Sequence, residues 1–171
     1  MTRRRALVVL GSNIAPERNL PEAVARLRAV AGVEVAAVGG TYESPPFGRA
    51  GDPWFRNCAL LLETALSPEE LRTAFRGVEA ELGRVRSGDR FAPRPIDIDL
   101  VAVAGFEGDV GGKPLPDPDI PRHAFLALPL ADVAPDWVLP GEGRTLREIA
   151  ATFDPVREKV RRLPETGRPS R

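Results

Sequence analysis

The sequence predicts an α+β domain built around one sheet. Three observations predict it. Short apolar runs of strand length are interleaved with segments whose apolar residues recur at helical spacing. These segments follow the order strand, helix, strand, strand, helix, strand. With 171 residues, 43% hydrophobic and 28% charged, the chain is long and apolar enough for one core.

Ala6 to Leu10 is an apolar run stopped by Gly11-Ser12-Asn13, the pattern of a buried strand and a turn. Leu20, Ala23, Val24, Leu27, Val30 and Ala31 keep helical spacing between Pro21 and Gly32, so a helix is expected over about 20–31. Val33 to Thr41 is β-branched and small, a second strand. Tyr42 to Pro53 is broken by proline and glycine and reads as a loop long enough to carry function. Phe55 to Thr64 is the third strand. Ser67-Pro68-Glu69-Glu70 is a capping box, and the helix it opens runs to Gly83. A polar loop follows from Arg84 to Pro95, then a strand over Ile96 to Val103. Gly105 to Arg122 has no assignable pattern. Ala124 to Val133 reads as a helix, and Thr145 with Glu148 caps a short one.

This order is the ferredoxin-like βαββαβ sandwich, with two helices on one face of the sheet and additional C-terminal elements. Residues 1–154 are expected to form the domain. From Pro155 the chain is mostly charged and proline-bearing, so 155–171 is expected to be a flexible tail.

Composition excludes several classes. Lys plus Arg (24) balances Asp plus Glu (24), which argues against a chain-wide basic footprint for nucleic acid. Cys58 is the only cysteine and His123 the only histidine, which excludes an internal disulfide, a multi-cysteine zinc site and a site with several histidine ligands. No apolar run approaches the ~20 residues of a membrane helix. The N-terminal apolar run reaches Gly11 almost at once, too short for a signal peptide. A cytoplasmic monomer with no nucleic-acid or membrane partner is expected. Nearly all the basic residues are arginine, which a genome-wide bias would explain, so only their positions are informative.

The informative stretch is Gly83 to Val101. Asp97 and Asp99 alternate on a predicted strand and leave the same face, while Ile96, Ile98 and Leu100 take the other. Two adjacent carboxylates repel unless a cation lies between them, and hard oxygens with phosphates suit Mg²⁺. A solvated strand face would carry the same pair. Arg84, Arg86, Arg90 and Arg94 precede the acids, with Ser87-Gly88 allowing movement and Pro93 and Pro95 stiffening Arg94. Arginine forks beside a carboxylate pair suit phosphoryl transfer, although a solvated charged loop would look similar. Phe55 and Asn57 share a strand face, and Phe47 and Phe91 stand in the two loops. Aromatic rings beside an amide suit a flat heterocycle, while ordinary core packing is the alternative for each ring.

The segment Arg90-Phe91-Ala92-Pro93-Arg94-Pro95-Ile96-Asp97-Ile98-Asp99-Leu100-Val101 resembles the signature of the 6-hydroxymethyl-7,8-dihydropterin pyrophosphokinase family of folate biosynthesis. Leu10-Gly11-Ser12-Asn13, Tyr42 to Gly48, Phe55 to Asn57, Glu79, Gly83-Arg84-Val85-Arg86 and Phe125 to Leu130 match in order, so the resemblance spans about residues 5–140.

The resemblance implies transfer of the β,γ-diphosphate of ATP to the pterin hydroxymethyl group, with release of AMP. It implies two Mg²⁺ ions with ATP, bound by Asp97 and Asp99, and stabilisation of the moving diphosphate by Arg84 and Arg94. Ser44, Pro45, Phe47, Phe55, Asn57, Phe91 and Phe125 match the pterin pocket. Glu79, Arg86, Ile98, Asp117 and His123 fall on the nucleotide side. Two positions depart from the family pattern. Pro116-Asp117 stands where the family has Pro-His, and His123 stands where it has arginine, with Arg122 one residue earlier. An aspartate there weakens ATP binding unless it turns away or Lys113 or Arg122 compensates. A pterin- and nucleotide-binding relative with altered catalysis is therefore one alternative. An RNA-binding module of the same layout is another.

Overall fold

The computed structural model describes residues 2–46, 50–89 and 91–165. In chain order the elements are β1 (Arg4–Ser12), α1 (Pro16–Arg28), β2 (Val33–Val38), β3 (Tyr42–Ser44), β4 (Phe55–Thr64), α2 (Pro68–Glu81), β5 (Asp97–Val103), β6 (Gly108–Val110), β7 (Lys113–Leu115), α3 (Ala124–Val133), α4 (Leu146–Ala150), α5 (Pro155–Glu158) and β8 (Arg161–Arg162). The main sheet is antiparallel in the order β5-β1-β4-β3-β8, and β2 also pairs with β4. A separate hairpin joins β6 and β7.

The sheet is buried on both faces, which is why β1 reads as a continuous apolar run. Ala6, Val8 and Leu10 join Leu20, Leu27, Leu71, Phe75, Ile98 and Leu100 in a core under α1 and α2. Leu7 and Val9 point the other way, into a second core with Val101, Ile120, Leu130, Leu146 and Ile149. Each such large aliphatic side chain contributes about 1.5–3 kcal/mol by leaving water. Two helices, α1 and α2, cover one face as expected, and the C-terminal α3 and α4 cover the second. An RNA-binding sheet of this layout needs that face open.

Both capping boxes are present. The Glu70 N–H donates to Ser67 Oγ at 3.1 Å and the Ser67 N–H to Glu70 Oε2 at 2.8 Å. Thr145 and Glu148 repeat the arrangement. Helix α1 starts earlier than the spacing predicts. Pro16 takes the first-turn position assigned to Pro21, and Pro21 lies inside the helix. Pro21 withholds one bond from the carbonyl of Glu17, an exposed residue that water can reach. The expected Tyr42–Pro53 loop opens with β3, which is too short for alternation to reveal. In the unassigned stretch, Gly111 and Gly112 take φ of 60° and 87°, the left-handed pair that closes the β6–β7 hairpin.

The expectation of a flexible tail from Pro155 is corrected over 155–163. Asp154 caps α5, Lys159 turns the chain with φ 57°, and β8 pairs with β3. Pairing made by backbone groups, plus one buried side chain, Val160, leaves little signal in a charged sequence. No helix among the described residues is long and apolar enough to cross a membrane.

Candidate active site

The ends of three strands build the site. Gly11 of β1 lies between Asp97 of β5 and Asn57 of β4, and Asn57 is next to Tyr42 of β3. One step along, Val9 lies beside Asp99, and Ser44 beside Phe55. Asp97, Asp99, Phe55, Asn57 and Ser44 thus share one sheet face beyond the end of α3, around a recess of about 570 Å³. Gly11 forms part of its floor. A Cβ there would lie 3.1 Å from Asn57 Oδ1 and 3.8 Å from the Phe55 ring, so a side chain would intrude between the carboxylates and the amide.

One wall is aromatic and neutral. The Asn57 amide donates to Ser44 Oγ at 2.8 Å in a buried bond, which fixes the direction of the amide. Phe55, Phe91, Phe125 and Pro45 complete this wall. His123 stacks on Phe125, with ring centroids 5.0 Å apart and planes 20° apart.

The other wall is charged. Arg84 Nη1 lies 2.8 Å from Asp97 Oδ1 and 2.6 Å from Glu79 Oε2. Arg94 Nη1 is 3.6 Å from Asp97 Oδ2, and its guanidinium lies over the Phe55 ring at 6.0 Å, linking the two walls. Lys113, carried in by the hairpin, is 3.4 Å from Asp99 and 3.8 Å from Asp117. Burial first, and then the charge of Asp97, push the Asp99 carboxyl up to about 6, with Lys113 opposing. Burial works against the charge on Arg84, yet Asp97 and Glu79 hold its guanidinium above its ordinary range.

Asn13, part of the Gly-Ser-Asn turn and of a segment that carries the family resemblance but given no site role there, anchors the Arg94 loop. Its Oδ1 accepts the Arg94 N–H at 2.7 Å, its own N–H donates to the Arg94 carbonyl at 3.2 Å, and its amide reaches the Pro53 carbonyl at 3.4 Å. The backbone that the two prolines stiffen is thereby tied to the end of β1. Its signal was a Gly-Ser-Asn turn at the end of a buried strand.

Most of the expected residues meet in the recess. Ser44, Pro45, Phe55, Asn57, Phe91, Arg94, Asp97, Asp99, Asp117, His123 and Phe125 all line it. Phe47 and Arg90 lie outside the described residues. Arg84 touches Asp97 from behind the recess. The Ile98 side chain is 5% exposed and lies in the core under α2, because it alternates with the acids, so only its backbone is left to face a nucleotide. Glu79 is buried, with Oε2 accepting from Arg84 and the Ile98 N–H and Oε1 from Arg86, so it braces the charged wall from inside. Arg86 stands with it, outside the recess.

The donor set suits Mg²⁺. Asp97 and Asp99 offer hard oxygens on one face, their mutual repulsion is visible at Asp99, and a divalent cation would relieve it. Among the described residues no group of three or more His, Cys, Asp and Glu is placed to hold a metal ion, so further ligands would come from substrate phosphates and water. A wider groove of about 730 Å³ beside Trp54 and α5 lacks this arrangement of acids and arginines.

Comparison with known proteins bears on the same residues. The sequence model of 7,8-dihydro-6-hydroxymethylpterin-pyrophosphokinase (HPPK) matches residues 7–135. A Methylorubrum extorquens protein named 2-amino-4-hydroxy-6-hydroxymethyldihydropteridine pyrophosphokinase is 41% identical over 152 residues, 88% of this chain and 94% of the relative. A Pseudomonas aeruginosa protein of that name is 36% identical over 162 residues, 94% of this chain and 98% of the relative. In fold the chain is similar to the Plasmodium falciparum HPPK-DHPS solved with pteroate, at TM-score 0.72 and 11% identity, over 94% of this chain and 46% of that one.

Proposed function

The chain belongs to the 7,8-dihydro-6-hydroxymethylpterin-pyrophosphokinase family, and from that premise we propose how its recess performs the transfer. The protein is a diphosphokinase of folate biosynthesis that moves a pyrophosphoryl group onto hydroxymethyldihydropterin. ATP gives up its β,γ-diphosphate and leaves as AMP.

The pterin lies against the aromatic wall, with Asn57 and the backbone at Ser44 and Pro45 reading its hydrogen-bonding edge and Phe55, Phe91 and Phe125 holding its faces. ATP lies along the charged wall. Asp97 and Asp99 would hold the two Mg²⁺ ions that come with the nucleotide, and Mg²⁺ would supply Lewis-acid neutralisation of the phosphates. The pterin hydroxyl attacks the β-phosphorus in line. A bond forms from the hydroxyl oxygen to that phosphorus, the bond from the phosphorus to the α–β bridging oxygen breaks, AMP departs with that oxygen, and the hydroxyl proton passes to solvent. Arg94 and Arg84 stabilise charge on the moving group, and positioning supplies much of the acceleration.

The altered-relative reading rests on Asp117 and His123. Asp117 is already occupied: its Oδ1 accepts the Asp119 N–H at 2.9 Å and Lys113 offsets its charge. Lys113 thus compensates on this side, which supports an active enzyme. The antiparallel order β5-β1-β4-β2 with α1 and α2 on one face supports a ferredoxin-like core, to which the other elements are additions.

The observation that carries the reading is the division of one recess into an aromatic-amide wall and a carboxylate–arginine wall joined across Gly11. Chromatography tests it. AMP and a diphosphorylated pterin should form from ATP in equal amounts, only when 6-hydroxymethyl-7,8-dihydropterin and Mg²⁺ are both present. AMP formed without the pterin would reject it.

A further inference from the structure

Segment 155–163 lies against the back of the neutral wall. Strand β8 pairs with β3 at Tyr42–Arg162 and Glu43–Arg161, the Leu163 N–H donates to the Thr41 carbonyl at 2.8 Å, and Arg161 bonds Glu43 at 2.8 Å. Val160 is 4% exposed and packs with Tyr42 and Ala124, against which Phe125 and Leu128 also lie. Val160 and Glu158 border a smaller hollow that shares Ser44, Pro45, His123 and Phe125 with the main recess.

A single carboxylate ties these parts together. Asp132 of α3 accepts from the Tyr42 hydroxyl at 3.0 Å and from the Gly40 N–H at 3.1 Å, and lies 3.6 Å from Arg162 Nη2. The Arg162 guanidinium crosses so close over Gly40 that a Cβ there would lie 2.5 Å from its Nε, an approach only glycine allows. The cluster therefore joins the chain entering β3, β3 itself, α3 and the C-terminal segment.

We propose that segment 155–163 is a strap that positions the pterin side of the active site, with Asp132, Tyr42 and Arg162 as its positioning residues. This rests on the functional reading above. Strand β3 has three residues and carries Ser44 at its end. Pairing with β4 alone would hold it on one side only, and an edge strand this short is weakly held. The strap pairs its other side, while Asp132 holds Tyr42 in register with Asn57 and fastens the helix that carries Phe125. Among the described residues, the contacts named for Asp132, Tyr42 and Arg162 reach none of Arg84, Asp97, Asp99 and Lys113. The strap therefore sets pterin affinity and leaves nucleotide affinity alone.

The full-length Asp132→Ala and Arg162→Met variants and their double mutant test this. Pterin affinity is read by fluorescence of the unreactive oxidised 6-hydroxymethylpterin, and nucleotide affinity by calorimetry with a non-hydrolysable ATP analogue and Mg²⁺. Asp132→Ala should weaken pterin binding about tenfold and Arg162→Met about two- to threefold, as expected for lost hydrogen bonds and one half-exposed ion pair. The double mutant should cost less than the product, because both side chains act in one cluster. Nucleotide affinity and turnover at saturation should stay within about twofold, a split that marks a positioning role for one substrate. Equal weakening of both ligands, or unchanged pterin affinity in both single variants, overturns the strap. Should Asp132→Ala not fold, Arg162→Met, which leaves the Asp132 hydrogen bonds in place, decides alone. A wild-type protein that binds no pterin rejects the functional reading instead.

Discussion

The two walls of the recess are built by opposite physics. The neutral wall is held by packing, the buried Asn57–Ser44 bond and strand pairing on both sides of β3, none of which needs a ligand's charge. The charged wall is held by ion pairs among groups that would otherwise repel, and Asp99 remains uncomfortable beside Asp97. Arg84, Arg94 and Lys113 stand around the acids, and in the proposed reading Mg²⁺ with ATP would share or replace those contacts. In the proposed reading the pterin meets a surface held by packing, whereas the nucleotide meets an electrostatic arrangement that its own charges would complete.

The sharpest way to break this comparison is to remove the acids. Asp97→Ala or Asp99→Ala should nearly abolish turnover, because the phosphates would lose their counter-ions. Pterin binding should persist, since Phe55, Asn57 and Phe125 keep their supports. Single-turnover AMP formation and pterin fluorescence measure the two halves separately. A double mutant keeping more than a few per cent of activity would remove the acids from the mechanism.

The arginines divide next. Arg94→Ala should lower turnover far more than it raises either Michaelis constant, as for a contact that strengthens in the transition state. Arg84→Ala should do the same and also lower the melting temperature, because Glu79, 3% exposed, would lose its close partner. Breaking such a buried pair costs about 3–5 kcal/mol. Calorimetry on both variants separates the two arginines. Equal melting temperatures would show that Glu79 does not depend on Arg84.

The same contrast explains what was legible in the sequence. Asp97 and Asp99, and Phe55 and Asn57, could be paired on faces because strand side chains alternate strictly. Both capping boxes were readable because their chemistry is local. What was missed depends on distant partners. The β6–β7 hairpin that delivers Lys113 was hidden in strands too short for periodicity. The covering of the second face by α3 and α4, and the docking of β8 on β3, are choices made by tertiary packing. The carboxylate at Asp132 that joins Tyr42 to Arg162 spans ninety residues of chain on one side, beyond any local pattern.

Gly11 probes the join between the walls. Gly11→Ala would put a methyl 3.1 Å from Asn57 Oδ1, and the Ser44 bond leaves Asn57 little room to yield. Overpacking of this kind costs about 1–3 kcal/mol, so pterin affinity should fall about tenfold while nucleotide affinity changes less. Pterin fluorescence and calorimetry with the ATP analogue measure this pair. An equal loss for both ligands would place Gly11 under the charged wall rather than between the two.

The smallest expected effects test whether any protein group joins the chemistry covalently. His123 stacks on Phe125 beside the recess, and Cys58 lies on the opposite face of β4, 4% exposed, with burial and then Asp132 pushing its thiol up to about 11. A thiol held protonated in the core under α1 is a poor nucleophile, and the sheet separates it from the phosphates. His123→Asn should give the same diphosphorylated pterin, and the nucleotide-side role that the family resemblance implies for His123 predicts that ATP affinity changes more than the chemical rate. Cys58→Ala should leave single-turnover kinetics unchanged while costing about 1 kcal/mol of stability, the scale of a small core truncation. Rapid-quench kinetics and thermal unfolding of the two variants read these separately. A phosphorylated enzyme trapped during turnover would replace direct in-line transfer with a covalent route, and loss of chemistry in either folded variant would overturn the role given to that residue.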